Sequence, residues 1–209
     1  ALPICETGIL EKYGVEAVFG LHLWPGLEEG TVYTRKNELM SRGSELNIDI
    51  YGKSAHISKP DAAIDATAAA VEFYRQARQA EAELPDNVYR LLNFGMFNSG
   101  TVRNALSAHA TLEGSLRTFY DDIFTGLRDK IFAIAADVEG KFGCKVDIWM
   151  SEGYPAVLND AALVDRVYQV APFQWLDKPS LASEDFAQYQ LRVPGVFFFL
   201  GTGNTAALH

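Results

Sequence analysis

Val18-Phe19-Gly20-Leu21-His22-Leu23-Trp24-Pro25 is an apolar run that carries a histidine near its end and stops at a proline. A second such run stands near the other end of the chain, Val196-Phe197-Phe198-Phe199-Leu200-Gly201-Thr202-Gly203-Asn204, and continues to His209. Continuous apolar runs bounded by Gly and Pro predict strands buried on both faces, the habit of a mostly parallel sheet in an α/β protein. Ligands of such sheets gather at the strand ends. One histidine there is more often a structural residue. Two of them predict a metal or catalytic site.

Between the two runs, residues 44–151 form a self-contained stretch. Leu46-Asn47-Ile48-Asp49-Ile50-Tyr51 alternates strictly, as a half-buried strand does. After Pro60 a helical pattern puts Ile64, Ala68, Val71 and Tyr74 on one face. Two strands are predicted next, with Leu92, Phe94 and Met96 inward in the first and Leu112, Gly114 and Leu116 in the second. Ile123, Leu127, Ile131, Ile134, Val138 and Phe142 then recur at helical spacing, and Gly143 ends that helix. Val146 to Met150 closes a β-α-β-β-α-β order. That order predicts a ferredoxin-like α+β unit, an antiparallel four-stranded sheet with both helices on one face.

The flanks, 1–43 and 152–209, are each too short for a core of their own, and are expected to meet in one α/β domain interrupted by the unit at 44–151. Linkers are expected near Arg42-Gly43-Ser44 and Gly153-Tyr154-Pro155. A helix is expected over Asn159 to Val170 with Leu163, Val167 and Val170 on one side. Another is expected to open at Ser183-Glu184-Asp185, with Ser183 as its cap.

Bulk properties narrow the classes. The chain has 209 residues, 48% of them hydrophobic, ample for a real core. A net charge of −9 excludes the basic footprint of a nucleic-acid binder. No apolar run approaches the roughly 18 residues of a membrane-spanning helix, and the start lacks the segments of a signal peptide. Only Cys5 and Cys144 occur, which fits a reducing, cytoplasmic setting. The first residue is Ala1, and the last strand runs out at His209 with no closing helix. The expectation is an internal piece of a longer polypeptide.

Six motifs then occur in one order: Gly20-Leu21-His22-Leu23-Trp24-Pro25, Gly52-Lys53-Ser54-Ala55-His56, Gly100-Thr101-Val102-Arg103-Asn104, Glu113-Gly114-Ser115-Leu116-Arg117-Thr118-Phe119, Ser183-Glu184-Asp185-Phe186 and Gly201-Thr202-Gly203-Asn204 with His209. In them the chain resembles the M20 metallopeptidases, and most of all their amidohydrolase branch of hippurate hydrolases, auxin-conjugate hydrolases and N-acetyl-diaminopimelate deacetylases. The resemblance implies a metal-binding α/β catalytic domain interrupted by a ferredoxin-like lid that also dimerises. It implies two divalent ions per full-length site, zinc, manganese or cobalt, and an N-acyl amino acid as substrate.

By that resemblance His22 and His209 are metal ligands, for which a neutral imidazole held at a strand end is well suited. His56 is implied as a donor that polarises the scissile carbonyl; a surface histidine capping the next helix is the competing reading. Asn104, Arg117 and the Gly203 loop are implied as substrate contacts, although Arg117 on an alternating strand could equally face solvent. Glu184 and Asp185 are implied to orient a ligand histidine, with pairing to a helix dipole as the alternative. His109 matches no motif. Glu28-Glu29 reads as a solvated loop, and Cys5 as a small core residue. The family's remaining ligands and its general base have no match here, so this piece is expected to be inactive alone. An aminopeptidase or dipeptidase of the same superfamily, and a non-catalytic binding or dimerisation module, are the rival readings.

Overall fold

The structure, a computed structural model, describes residues 1–203. In chain order the elements are α1 (Leu2–Glu6), α2 (Ile9–Lys12), β1 (Val18–Trp24), β2 (Val32–Thr34), β3 (Asn37–Met40), β4 (Arg42–Tyr51), α3 (Ala66–Ala82), β5 (Leu91–Ser99), β6 (His109–Thr118), α4 (Asp121–Phe142), β7 (Lys145–Met150), β8 (Val157–Asn159), α5 (Ala161–Val170), β9 (Gln174–Trp175), α6 (Ala187–Gln190) and β10 (Gly195–Gly201). They fall into two compact units, one of residues 1–43 with 154–209 and one of residues 44–153. The fold is mixed α/β.

In the first unit a four-stranded sheet has the order β1-β10-β2-β9, with β1 parallel to β10 and β2 parallel to β9, while β10 and β2 run antiparallel. β10 is the strand buried on both faces: Phe197 and Phe199 meet Leu39, Val157 and Phe186 on one side, and Val196 meets Val164 and Phe173 on the other. Within this stretch of chain β1 is the first strand of the sheet, and Phe19, Leu21 and Leu23 are 57%, 55% and 57% exposed. The core under α5 takes in Val196 and Phe198 of β10 but no residue of β1, so that face of β1 has no cover among the described residues.

Asn159 ties this unit together. It is buried, and its amide nitrogen donates to the Thr34 hydroxyl at 2.9 Å and to the carbonyls of Arg35 and Phe197 at 2.9 and 3.2 Å. Its oxygen accepts from the Phe197 N–H at 2.8 Å. One side chain on β8 thus satisfies polar groups of β2, of the residue that follows it and of β10. Asn159→Ala strands several of them away from water, and a loss of about 2–4 kcal/mol is expected. The measurement is the midpoint of urea unfolding of the full-length protein, and an unchanged midpoint would contradict it.

In the second unit the sheet order is β5-β6-β4-β7, with β5–β6 and β4–β7 antiparallel. Leu46, Ile48 and Ile50 of β4 alternate into one core with Leu92, Leu112 and Leu116 and with the inner faces of α3 and α4. α4 matches its sequence pattern, with Leu127, Ile131, Ile134 and Val138 buried, and Gly143 closes it at φ 67°, a value that a side chain disfavours.

Other expectations are corrected. α3 begins at Ala66, where Asp65 caps the Thr67 N–H at 2.9 Å, and its inner face is Ala66, Ala69, Ala70, Phe73, Ala77 and Ala80. Val71 and Tyr74 stay exposed, because a helix that approaches the sheet through alanines leaves its larger side chains to its flank. Met96 is 51% exposed, because the register of β5 against β6 shifts between Phe94 and Met96 and turns it outward. Val170 is 83% exposed at the end of α5, where Val164 is the residue that enters the core. Ser183 caps nothing: the last short helix starts at Ala187, with Phe186 at its N-cap. Arg42-Gly43-Ser44, where the chain passes from one unit to the other, is continuous strand within β4.

Candidate active site

Two groups of candidate residues take shape, one in each unit. In the first, β1 and β10 run parallel with His22 opposite Phe199 and Trp24 opposite Gly201, so both carboxyl ends lie side by side, where parallel sheets present ligand sites. The strand exit is tied to the loop after β1: Thr202 N–H donates to Trp24 O at 3.1 Å and Gly203 N–H to Leu27 O at 2.9 Å. A Cβ at Gly201 would stand 2.0 Å from Glu28 O, so only glycine permits this approach. Gly203, at φ 69°, continues the bend. His209 and Asn204 lie outside the described residues.

His22 is exposed. Its ring stands edge-on to Trp24 at 6.1 Å, and Trp24 stacks on Phe199 at 4.0 Å. Its Nδ1 is 2.6 Å from the carbonyl oxygen of Leu23. A carbonyl only accepts, so Nδ1 carries the proton, and in the neutral ring Nε2 is left with a lone pair. That is the form a metal ligand takes. Glu184 and Asp185 precede Phe186, which reaches Gly20 on β1. Glu184 accepts from the Phe186 N–H at 3.4 Å, within its own turn. Among the described residues no three His, Cys, Asp or Glu side chains converge as a metal site. His22 alone therefore does not make a metal centre.

In the second unit the segments 52–58 and 104–108 pair like short strands. Ile57 N–H donates to Asn104 O at 3.0 Å, Leu106 N–H to Ala55 O at 2.9 Å, and His56 bridges to Ala105. His56 and Asn104 are thereby brought to one end of the sheet. Beside them an open groove of about 300 Å³ is lined by Ser54, Thr101, Ala105, Leu106, Ser107 and Ala108 among others. His56 Nδ1 receives the backbone N–H of Ser58 at 3.2 Å and lies 2.7 Å from the Ser58 hydroxyl. An N–H only donates, so here Nδ1 holds the lone pair and Nε2 the proton. His56 thus has the opposite tautomer to His22.

Arg117 is not part of this group. It lies opposite Leu91 at the other end of β6, eight residues beyond His109, or about 27 Å at the usual strand rise. His109 bonds Asp49 Oδ1 at 2.9 Å and stacks on Tyr51 at 4.8 Å, on the sheet face away from the helices. The residue that sequence reading missed is Ser58. A histidine two residues before a serine was the available signal, because side-chain acceptors commonly capture the N–H two positions on.

The family model of peptidase family M20/M25/M40 matches residues 1–209. The chain belongs to that family. This M20 chain is 31% identical over 218 residues to the N-acetyldiaminopimelate deacetylase of Shouchella clausii (strain KSM-K16), which covers all of this chain and 58% of the deacetylase. Among solved structures it is similar to the YXEP protein of Bacillus subtilis, a dinuclear metal-binding peptidase of the M20 family, with 26% identity and a TM-score of 0.75 over 99% of this chain and 53% of that one. A protein from methicillin-resistant Staphylococcus aureus shares the fold with a TM-score of 0.87 at 24% identity, covering 95% of this chain and 53% of the other. The M20 chain thus spans somewhat more than half the length of the relatives it matches.

Proposed function

We propose that the whole protein is a metal-dependent amidohydrolase that cleaves the amide of an N-acyl amino acid. The carrying observation is the hydrogen-bond surroundings of the two histidines, which assign them opposite tautomers. His22 offers a lone pair at Nε2, as a metal ligand must, and His56 offers an N–H at Nε2, as a donor to a carbonyl must. The name of the deacetylase relative supplies the substrate class, an acylated amino acid. A divalent metal, when bound, supplies a Lewis acid and an activated water. Of the described residues only His22 is assigned to it; His209 and donors beyond this chain are assigned the rest, two ions in all, with zinc, manganese and cobalt the candidates. His56 donates to the carbonyl oxygen, and Asn104 and the Gly203 loop bind the substrate. Arg117 is kept as a substrate contact only for an extended ligand, given its distance along β6, and Glu184 and Asp185 as groups that orient ligands beyond His22.

The units take roles on the same reading. Residues 1–43 and 152–209 are part of the catalytic domain, and the uncovered face of β1 is where the remaining polypeptide packs. Residues 44–151 are the ferredoxin-like lid. The setting is cytoplasmic, in keeping with two unpaired cysteines, of which burial pushes the Cys144 thiol up. The test uses the full-length protein with N-acetyldiaminopimelate and follows acetate release. Hydrolysis that a chelator abolishes and zinc, manganese or cobalt restores is expected. Hydrolysis indifferent to chelation would overturn the reading, and cleavage of dipeptides alone would favour the peptidase reading, which the name of the Bacillus subtilis protein keeps in play.

A homodimer through the lid is also proposed. Long open sheet edges invite pairing unless charge protects them. β7 carries a Lys145–Asp147 ion pair at 2.8 Å, whereas β5 presents exposed Met96 and Phe97, with Tyr74 of α3 at 6.5 Å from the Phe97 ring and Val71 nearby on the same helix. β5 is therefore the edge assigned to the second copy. Phe97→Lys with Tyr74→Lys is expected to turn the full-length dimer into a monomer in sedimentation at micromolar concentration. A wild-type monomer, or an unaffected dimer in the variant, would reject the assignment.

A further inference from the structure

We propose that Ser58 is a positioning residue for His56, holding the ring in the tautomer and direction that present Nε2–H to the substrate carbonyl. The proposal rests on the reading of His56 as a carbonyl donor and adds a residue to it. Three observations carry it. The Ser58 N–H donates to His56 Nδ1 at 3.2 Å, which fixes Nδ1 as an acceptor. The Ser58 hydroxyl is 2.7 Å from the same nitrogen, and against a nitrogen that only accepts, the hydroxyl must donate. The backbone beneath is held on both sides: Lys59 N–H closes a turn onto His56 O at 2.8 Å, and Ile57 N–H bonds Asn104 O at 3.0 Å.

The physical need is clear from exposure. His56 lies on the surface, where burial does not hold its ring in one orientation. An exposed ring that turns freely spends much of its time with the wrong nitrogen forward. A donor aimed at a developing negative charge is effective only when its direction is set beforehand. The N–H and O–H of a single residue, sharing the one lone pair of Nδ1, set that direction without burying the ring. Ser58 touches neither substrate nor metal in this scheme and acts only through His56.

The experiment uses the full-length protein labelled with 15N in its histidine rings, with the His56 signals identified by their loss in His56→Gln. In the wild type, Nδ1 of His56 is expected to be the unprotonated nitrogen. In Ser58→Ala the hydroxyl is gone and the longer N–H bond remains, so the share of Nδ1–H tautomer should rise. With it kcat on N-acetyldiaminopimelate should fall about three- to ten-fold, the effect of one neutral hydrogen bond, at unchanged KM. Ser58→Thr keeps the hydroxyl and should restore both readouts. A wild-type proton on Nδ1 overturns the proposal, as does Ser58→Ala with tautomer and kcat both unchanged, or Ser58→Thr as impaired as Ser58→Ala. Full kcat in His56→Ala, which keeps no donor, instead overturns the role given to His56 itself, and with it the part of Ser58 in turnover.

Discussion

His22→Ala in the full-length protein is expected to lose bound metal and, with it, nearly all hydrolysis of an N-acyl amino acid. The side chain stands at the carboxyl end of β1 beside the end of β10, and Leu23 O holds the proton on Nδ1, so one nitrogen remains to bind a cation. Deleting it removes the one ligand assigned among the described residues, where no cluster of three candidate donors exists to replace it. A metal contributes several kcal/mol to such a reaction, so a fall of at least about 10³-fold in kcat/KM is expected. Metal per protomer, measured by elemental analysis after gel filtration, is the companion readout. His22→Ala with full metal content would remove His22 from the ligand set, and this strand end would cease to be a candidate metal site.

What the sequence made legible depended on how local the cause was. α4 could be read because its six apolar residues repeat at helical spacing and Gly143 stops it, all within one element. β4 was equally plain, since strict alternation has one structural meaning when one face is buried. The misreadings came from causes lying elsewhere in the chain. Nothing within α3 says that the sheet is met by Ala69, Phe73 and Ala77 while Val71 and Tyr74 lean aside. The outward turn of Met96 follows from a slip against β6, which no local pattern records.

The candidate site divides in the same manner. His22, His56 and Asn104 could be singled out by motif, and the structure sets His56 and Asn104 together through the pairing of 52–58 with 104–108. The tautomers could not be read, since they hang on Leu23 O in one case and on Ser58 in the other. Arg117 shows the limit of a motif: it shares a run of sequence with Glu113 and Gly114, yet the length of β6 carries it far from His56.

His56→Ala is expected to fail differently from His22→Ala, and the contrast separates the two roles. His56 presents Nε2–H from a segment that contributes no candidate metal ligand, so its loss should leave metal content untouched. Loss of one donor to a developing oxyanion lowers kcat by roughly 10²–10³, or about 2.7–4 kcal/mol. KM should move little, because the hydrogen bond strengthens only as charge develops on the carbonyl oxygen. His56→Gln, which keeps an N–H donor on a shorter and differently angled arm, should recover part of the loss. Measured on the full-length protein, a normal metal content with a reduced kcat supports the donor role. Metal lost together with activity would make His56 a ligand or a structural support instead, and the tautomer argument that separates it from His22 would no longer hold.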